Sequence, residues 1–181
     1  MEMIRSFVSI KIPVTPAIRK VQERLREIGG INVPNDVHLT LRFLDDVETG
    51  KLKELAERMR SLERHHSFNV SVKGLGAFPN VKDPRIVWIG ADMGEPFDKI
   101  LSDLDGILET SSVNYDGKPF KAHVTIGRVK TPSGALKDAL AEGKNLEAGT
   151  FLCSKIYLMG SKLTQNGAVH SVIGSFNLAD D

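Results

Sequence analysis

Residues 5–12 carry the apolar and polar pattern of a β-strand, and the run ends at Pro13. Thr15 followed by Pro16 supplies a helix cap and a first-turn proline. Ile18, Val21, Leu25 and Ile28 then recur every three or four residues, which predicts an amphipathic helix that stops at the permissive Gly29 and Gly30. A strand over 37–44 follows, and Leu52, Leu55, Ala56, Met59 and Leu62 mark a second amphipathic helix. Strands over 68–76 and 85–91 are joined by a Pro/Asn/Asp loop that favours a hairpin. The order then returns: a helix bearing Phe97, Ile100, Leu101, Leu104 and Ile107, a strand over 120–129, a shorter helix over 135–140, and strands over 151–159 and 169–176.

The return is a matter of spacing as well as order. His38 aligns with His123 at 85 residues apart, and Gly90 with Gly174 at 84. That period is longer than those of ordinary solenoid repeats, so two lobes related by an approximate two-fold axis are expected rather than a stacked array. The predicted fold is α+β: two pseudo-symmetric lobes, each an antiparallel sheet with helices outside, around a central cleft. Residues 1–181 are read as a single bilobal domain with an internal duplication.

Each half contains one polar-faced strand of the same form, His38-Leu39-Thr40-Leu41 and His123-Val124-Thr125-Ile126. On a strand, residues i and i+2 share a face, so each histidine stands about 6 to 7 Å from its threonine. Leu39, Leu41, Val124 and Ile126 then point into a core. Val37 and Phe43 extend the first apolar face and Arg42 the polar one, while Lys121 lies opposite Phe120 and Ala122 in the second. Arg128 is out of phase with His123 by strict alternation, but Gly127 permits a bulge that turns it toward the cleft.

Those residue types suit the opening of a cyclic phosphodiester. The reaction needs a base to take a proton from water and an acid to protonate the departing ribose oxygen, and imidazoles can do both near neutrality. Threonine hydroxyls can donate to nonbridging phosphate oxygens, and a nearby cation such as Arg42 or Arg128 stabilises charge developing on phosphorus. No metal is needed by this scheme, and no short Cys/His/Asp ligand cluster is visible. His65 and His66 read as solvated residues at a helix end, His170 as isolated, and Trp88, flanked by Ile86, Val87 and Ile89, as a core residue.

Composition narrows the partners. Lysine and arginine total 24 against 23 acidic residues, so a net charge of +1 gives no global field for a polyanion, and any nucleic-acid contact must be local. The single cysteine, Cys153, has no internal disulfide partner and reads as a small buried hydrophobe. No basic segment with a long apolar run opens the chain, and nothing approaches the roughly 18 apolar residues of a membrane span, so a cytoplasmic monomer without membrane contact is expected.

The paired motifs, within HLTLRFL and HVTIGRVK, resemble those of the 2H phosphoesterases, in particular the RNA 2',3'-cyclic phosphodiesterase (2'-5' RNA ligase) branch. Residues 74–90 (GLGAFPNVKDPRIVWIG) and 158–178, with their Ser-Lys-Leu-Thr turn, are similar to that branch as well. The resemblance implies His38 as proton donor, His123 as proton acceptor, and Thr40 and Thr125 as phosphate ligands, with a 2'-phosphate as product and no cofactor. It implies as partners RNA ends bearing a 2',3'-cyclic phosphate, tRNA fragments among them, or small nucleotides, and in some members reversible 2'-5' ligation. Two departures stand in the last hairpin: Gln165, Asn166 and Gly167 replace a Pro-x-Gly type of turn, and His170 occupies a position where tyrosine is common. The alternative to an enzyme is an RNA- or nucleotide-binding module with little catalysis, against which both intact histidines argue.

Overall fold

The structure is a computed structural model and describes residues 1–180. In chain order its elements are β1 (Met3–Ile12), α1 (Pro16–Ile28), β2 (Ile31–Asn32), β3 (Val37–Glu48), α2 (Thr49–Met59) and a 3-10 turn (Arg60–Arg64). They continue as β4 (Phe68–Pro79), β5 (Pro84–Met93), α3 (Phe97–Thr110), β6 (His123–Val129), α4 (Gly134–Glu142), β7 (Glu147–Cys153), β8 (Lys155–Thr164) and β9 (Gly167–Asn177). The first helix begins as its sequence dictates: the Thr15 hydroxyl accepts from the Ile18 amide at 3.2 Å, and Gly29 leaves the helix at φ +80°.

Two antiparallel sheets result, one ordered β3-β1-β8-β9 and the other β2-β6-β5-β4-β7. The two motif strands, β3 and β6, pack against each other where the sheets meet. Each motif strand has one inner neighbour, β1 for β3 and β5 for β6. The predicted strand over 151–159 is two strands, divided at Ser154, because β7 ends in the second sheet and β8 begins in the first. The strand predicted from residue 120 starts at His123.

The lobes are not the sequence halves. The β8–β9 hairpin, from late in the chain, completes the sheet that β1 and β3 begin. Helix α1 crosses to pack on β6, β7 and α4 of the second lobe, while α2 lies on β3, β9 and α3. The correspondence of Gly90 with Gly174 therefore does not hold in space: Gly90 is the register partner of His123, whereas Gly174 pairs with Leu158 on β9, away from β3. One contiguous apolar cluster runs through both lobes, joining Ile10 and Leu39 to Val87 and Val124, with Leu25, Leu55, Leu104 and Leu136 from the helices.

His65 is not solvated as its helix-end position suggested. Its Nε2 sits 2.5 Å from Asp103 Oδ2 on α3, and Arg64 donates to the same oxygen at 2.6 Å. These two hydrogen bonds, that of the Arg64 guanidinium first, hold the Asp103 carboxyl below its usual range. Among the described residues no helix is long and apolar enough to cross a membrane.

Candidate active site

Alternation on β3 buries Val37, Leu39 and Leu41 and leaves His38 and Thr40 half-buried on the opposite face. On β6 it buries Val124 and Ile126 and leaves His123 and Thr125 half-buried in the same way. Both strands then break register at the same point. Thr40 opposes Ser9 and Arg42 opposes Val8, so Leu41 bulges out of the pairing. Thr125 opposes Trp88 and Gly127 opposes Val87, so Ile126 does likewise.

The bulges decide where the arginines go. Past Leu41, Arg42 turns to the buried face rather than continuing the histidine's face as alternation predicted. Its Nε and Nη2 donate to the two oxygens of Asp105 at 2.8 and 2.9 Å, and Nη1 donates to the Asp116 and Lys118 carbonyls at 3.1 and 2.8 Å. The guanidinium is thus spent on α3 and on the loop before β6. The equivalent position on β6 is Gly127, where a Cβ would come within 2.8 Å of Ile31 Cγ2. One residue further, Arg128 opposes Ile86 and returns to the face of His123 and Thr125, exposed, as Phe43 does on β3.

The two histidines sit in different surroundings. His123 Nδ1 lies 2.8 Å from the Lys121 carbonyl, which only accepts, so Nδ1 carries the hydrogen and the Nε2 lone pair is left for the cleft. The Phe78 ring meets His123 edge-on at 5.0 Å. His38 stacks on Phe7 at 5.1 Å, and the His170 ring stands edge-on to both, 5.5 Å from His38 and 5.2 Å from Phe7. Burial, and after it the electrostatic influence of the neighbouring His170 and Arg128, push the His38 imidazole down to about 4 from its ordinary 6.5.

His170, read from the sequence as isolated, lies against His38; its proximity depends on β9 joining the first sheet with β1 and β8 between it and β3, for which no local signal exists. Phe7 and Phe78 were missed for the same reason. Trp88 departs from the core reading. Its neighbours Val87 and Ile89 are fully buried, while Trp88 itself is half-buried on the Thr125 side, 5.4 Å from the Phe78 ring. The indole lies across Gly76, where a Cβ would be 2.3 Å from the ring, and its buried Nε1 has no hydrogen-bond partner among the described residues.

A bilobal α+β fold with a His/Thr strand from each lobe, the two strands packed together where the sheets meet, is the architecture of a class of phosphoesterases. A family model described as LigT-like phosphoesterase matches residues 9–88. Among similar proteins, the RNA 2',3'-cyclic phosphodiesterase of Methanothermobacter thermautotrophicus is 30% identical over 97% of this chain and 99% of its own. That of Methanocaldococcus jannaschii is 32% identical over 94% and 98%. The chain belongs to the LigT-like, or 2H, phosphoesterase family. The crystal structure of TT0787 of Thermus thermophilus superposes with a TM-score of 0.83 at 25% identity, over 98% of this chain and 100% of that one. Escherichia coli LigT complexed with 3'-AMP shares the fold, with a TM-score of 0.70 at 17% identity over 98% and 99%.

Proposed function

We propose that this chain is an RNA 2',3'-cyclic phosphodiesterase that opens a terminal 2',3'-cyclic phosphate to a 2'-phosphate by two-histidine acid/base chemistry. The observation that carries the reading is the pair of His/Thr faces on equivalently bulged strands of two lobes, in a chain whose full-length relatives bear that name.

His123, oriented by the Lys121 carbonyl, accepts a proton from water through Nε2 as the water oxygen bonds to phosphorus. The bond from phosphorus to the 3' oxygen breaks, and His38 delivers a proton to that oxygen, leaving a 2'-phosphate and a 3'-hydroxyl. Thr40 and Thr125 donate their hydroxyls to the nonbridging oxygens, and Arg128 adds a positive charge on the same face. Arg42 acts from behind the sheet by fixing α3 and the 116–118 loop. With a 5'-hydroxyl in place of water as the nucleophile, the same displacement run in the same direction forms a 2'-5' linkage and frees the 3'-hydroxyl. The enzyme acts as a cytoplasmic monomer without a metal, on tRNA fragments or other RNA ends of this type.

The test is turnover of an oligonucleotide ending in a 2',3'-cyclic phosphate, with EDTA present. Wild type should form a 2'-phosphate end. His38→Ala and His123→Ala should each lose roughly 10²- to 10⁴-fold in kcat/KM, and Thr40→Ala and Thr125→Ala less. A wild type that binds the oligonucleotide without turnover, or histidine variants at full activity, would instead support a binding module.

A further inference from the structure

A groove of about 600 Å³ lies between the tip of the β8–β9 hairpin, Gln165 to Gly167, and the β2 edge of the second sheet with Lys130. Both of its walls lead back to the motif histidines. On β6 the polar face runs from His123 and Thr125 to Arg128, and Lys130 lies two residues further, roughly 15 Å from Thr125 along the chain. Asn32 on β2 is the register partner of Arg128. On β9, Gly167 is three residues from His170, whose ring stands 5.5 Å from that of His38. The groove is thus the continuation of the cleft past Arg128. Its walls are set by backbone: the Lys130 and Thr131 amides donate to the Gly30 carbonyl at 2.7 and 3.0 Å, and the Thr164 hydroxyl donates to the Gly167 carbonyl at 2.7 Å. Among the described residues, the Lys130 ammonium and the side-chain amides of Asn32, Gln165 and Asn166 have no protein partner. No carboxylate lines the groove.

We propose that this groove is a subsite for the nucleotide preceding the cyclic end of an RNA strand, with Lys130 on its phosphate and the three side-chain amides on its ribose and base edges. The inference rests on the reading of the histidine pair as a site for RNA 2',3'-cyclic phosphate, and it narrows the substrate to a strand rather than a mononucleotide. A volume of this size suits a ligand as large as one nucleotide. An ammonium meets phosphate as a point charge, while side-chain amides carry donors and acceptors and so match hydroxyls and base edges alike. A mononucleoside cyclic phosphate reaches the histidines but leaves the groove idle. With a net charge of +1 the protein has no general hold on RNA, so this local contact decides whether the length of the strand is felt.

The experiment compares kcat/KM for uridine 2',3'-cyclic phosphate and for an RNA tetranucleotide ending in the same group, in wild type, Lys130→Gln and Lys130→Arg. Wild type should favour the tetranucleotide. Lys130→Gln should cut that preference about three- to tenfold, the size of one charged contact at an exposed site, and Lys130→Arg should restore most of it. For the tetranucleotide, the dependence of log kcat/KM on log salt should become shallower by about 0.7 in Lys130→Gln, the loss of one phosphate contact on a single strand. Gln165→Ala combined with Asn166→Ala should lower the preference and leave the salt slope as it is. Equal kcat/KM for the two substrates in wild type overturns the proposal, as does a Lys130→Gln variant whose preference or salt slope is unmoved. If wild type turns over neither substrate, the phosphodiesterase reading fails, and fluorescence anisotropy with a tetranucleotide ending in a 2'-phosphate still tests the groove. Lys130→Gln should then weaken binding by about the same three- to tenfold factor, and unchanged binding overturns the proposal.

Discussion

Arginine 42 carries the sharpest contrast between two uses of one residue type. Close to the motif histidine His38 in sequence, it is the natural candidate for a phosphate ligand; in space it makes four hydrogen bonds to the protein itself. Its side chain is 9% exposed and that of its partner Asp105 27%, so removing the guanidinium strands a half-sheltered carboxylate and two carbonyls. Arg42→Met should therefore cost about 2 to 4 kcal/mol of stability by urea unfolding, while KM for a cyclic-phosphate substrate stays within a few fold under folded conditions. A phosphate ligand would behave in the opposite way. Cys153 illustrates the reverse case, in which the sequence reading needed no revision: it is buried, and burial pushes its thiol up to about 11.

Strands and helices were largely legible because their periodicity is a local property. The pattern Ile18, Val21, Leu25 marks α1 with its cap, and the alternation of His38-Leu39-Thr40 or His123-Val124-Thr125 sorts core from cleft without any knowledge of partners. What alternation could not supply is the bulge, since Leu41 and Ile126 look like any core residue and the slip depends on the neighbouring strand. Gly127 hinted at it on β6; Arg42, at the matching place on β3, hid it. The split at Ser154 escaped for a similar reason, as β7 and β8 are continuous in composition but belong to different sheets. Gly127→Ala tests the bulge as an element: the new Cβ meets Ile31 on β2, so a stability loss of about 1 to 3 kcal/mol is expected. Catalytic loss should exceed what unfolding explains as Arg128 shifts, measured as kcat/KM at a temperature where the variant remains folded.

At the scale of the molecule, the exchange of elements between halves governs stability. Helix α1 leaves the first sheet to cover the second, β8 and β9 return to the first, and the apolar cluster is shared. Neither lobe has a core of its own. Thermal or urea denaturation should therefore show one transition, coincident for far-UV circular dichroism and Trp88 fluorescence; two separated transitions would mean that the lobes are autonomous. The repeated motif spacing predicts two like lobes but is silent on which segments build each one.

The placement of β8 beside β1 also bears on how the chain is made. During synthesis the segment 3–48 leaves the ribosome long before residues 155–177, yet the inner edge of β1 has no partner until β8 arrives. An unpaired strand edge in a nascent chain invites pairing with other chains, so the first sheet is exposed to that hazard for most of translation. Ser6 and Ser9, both buried once β8 is in place, put polar side chains on β1 in that interval. The part of the candidate site around His38, with His170 against it, is thus the last part of the protein to come into being.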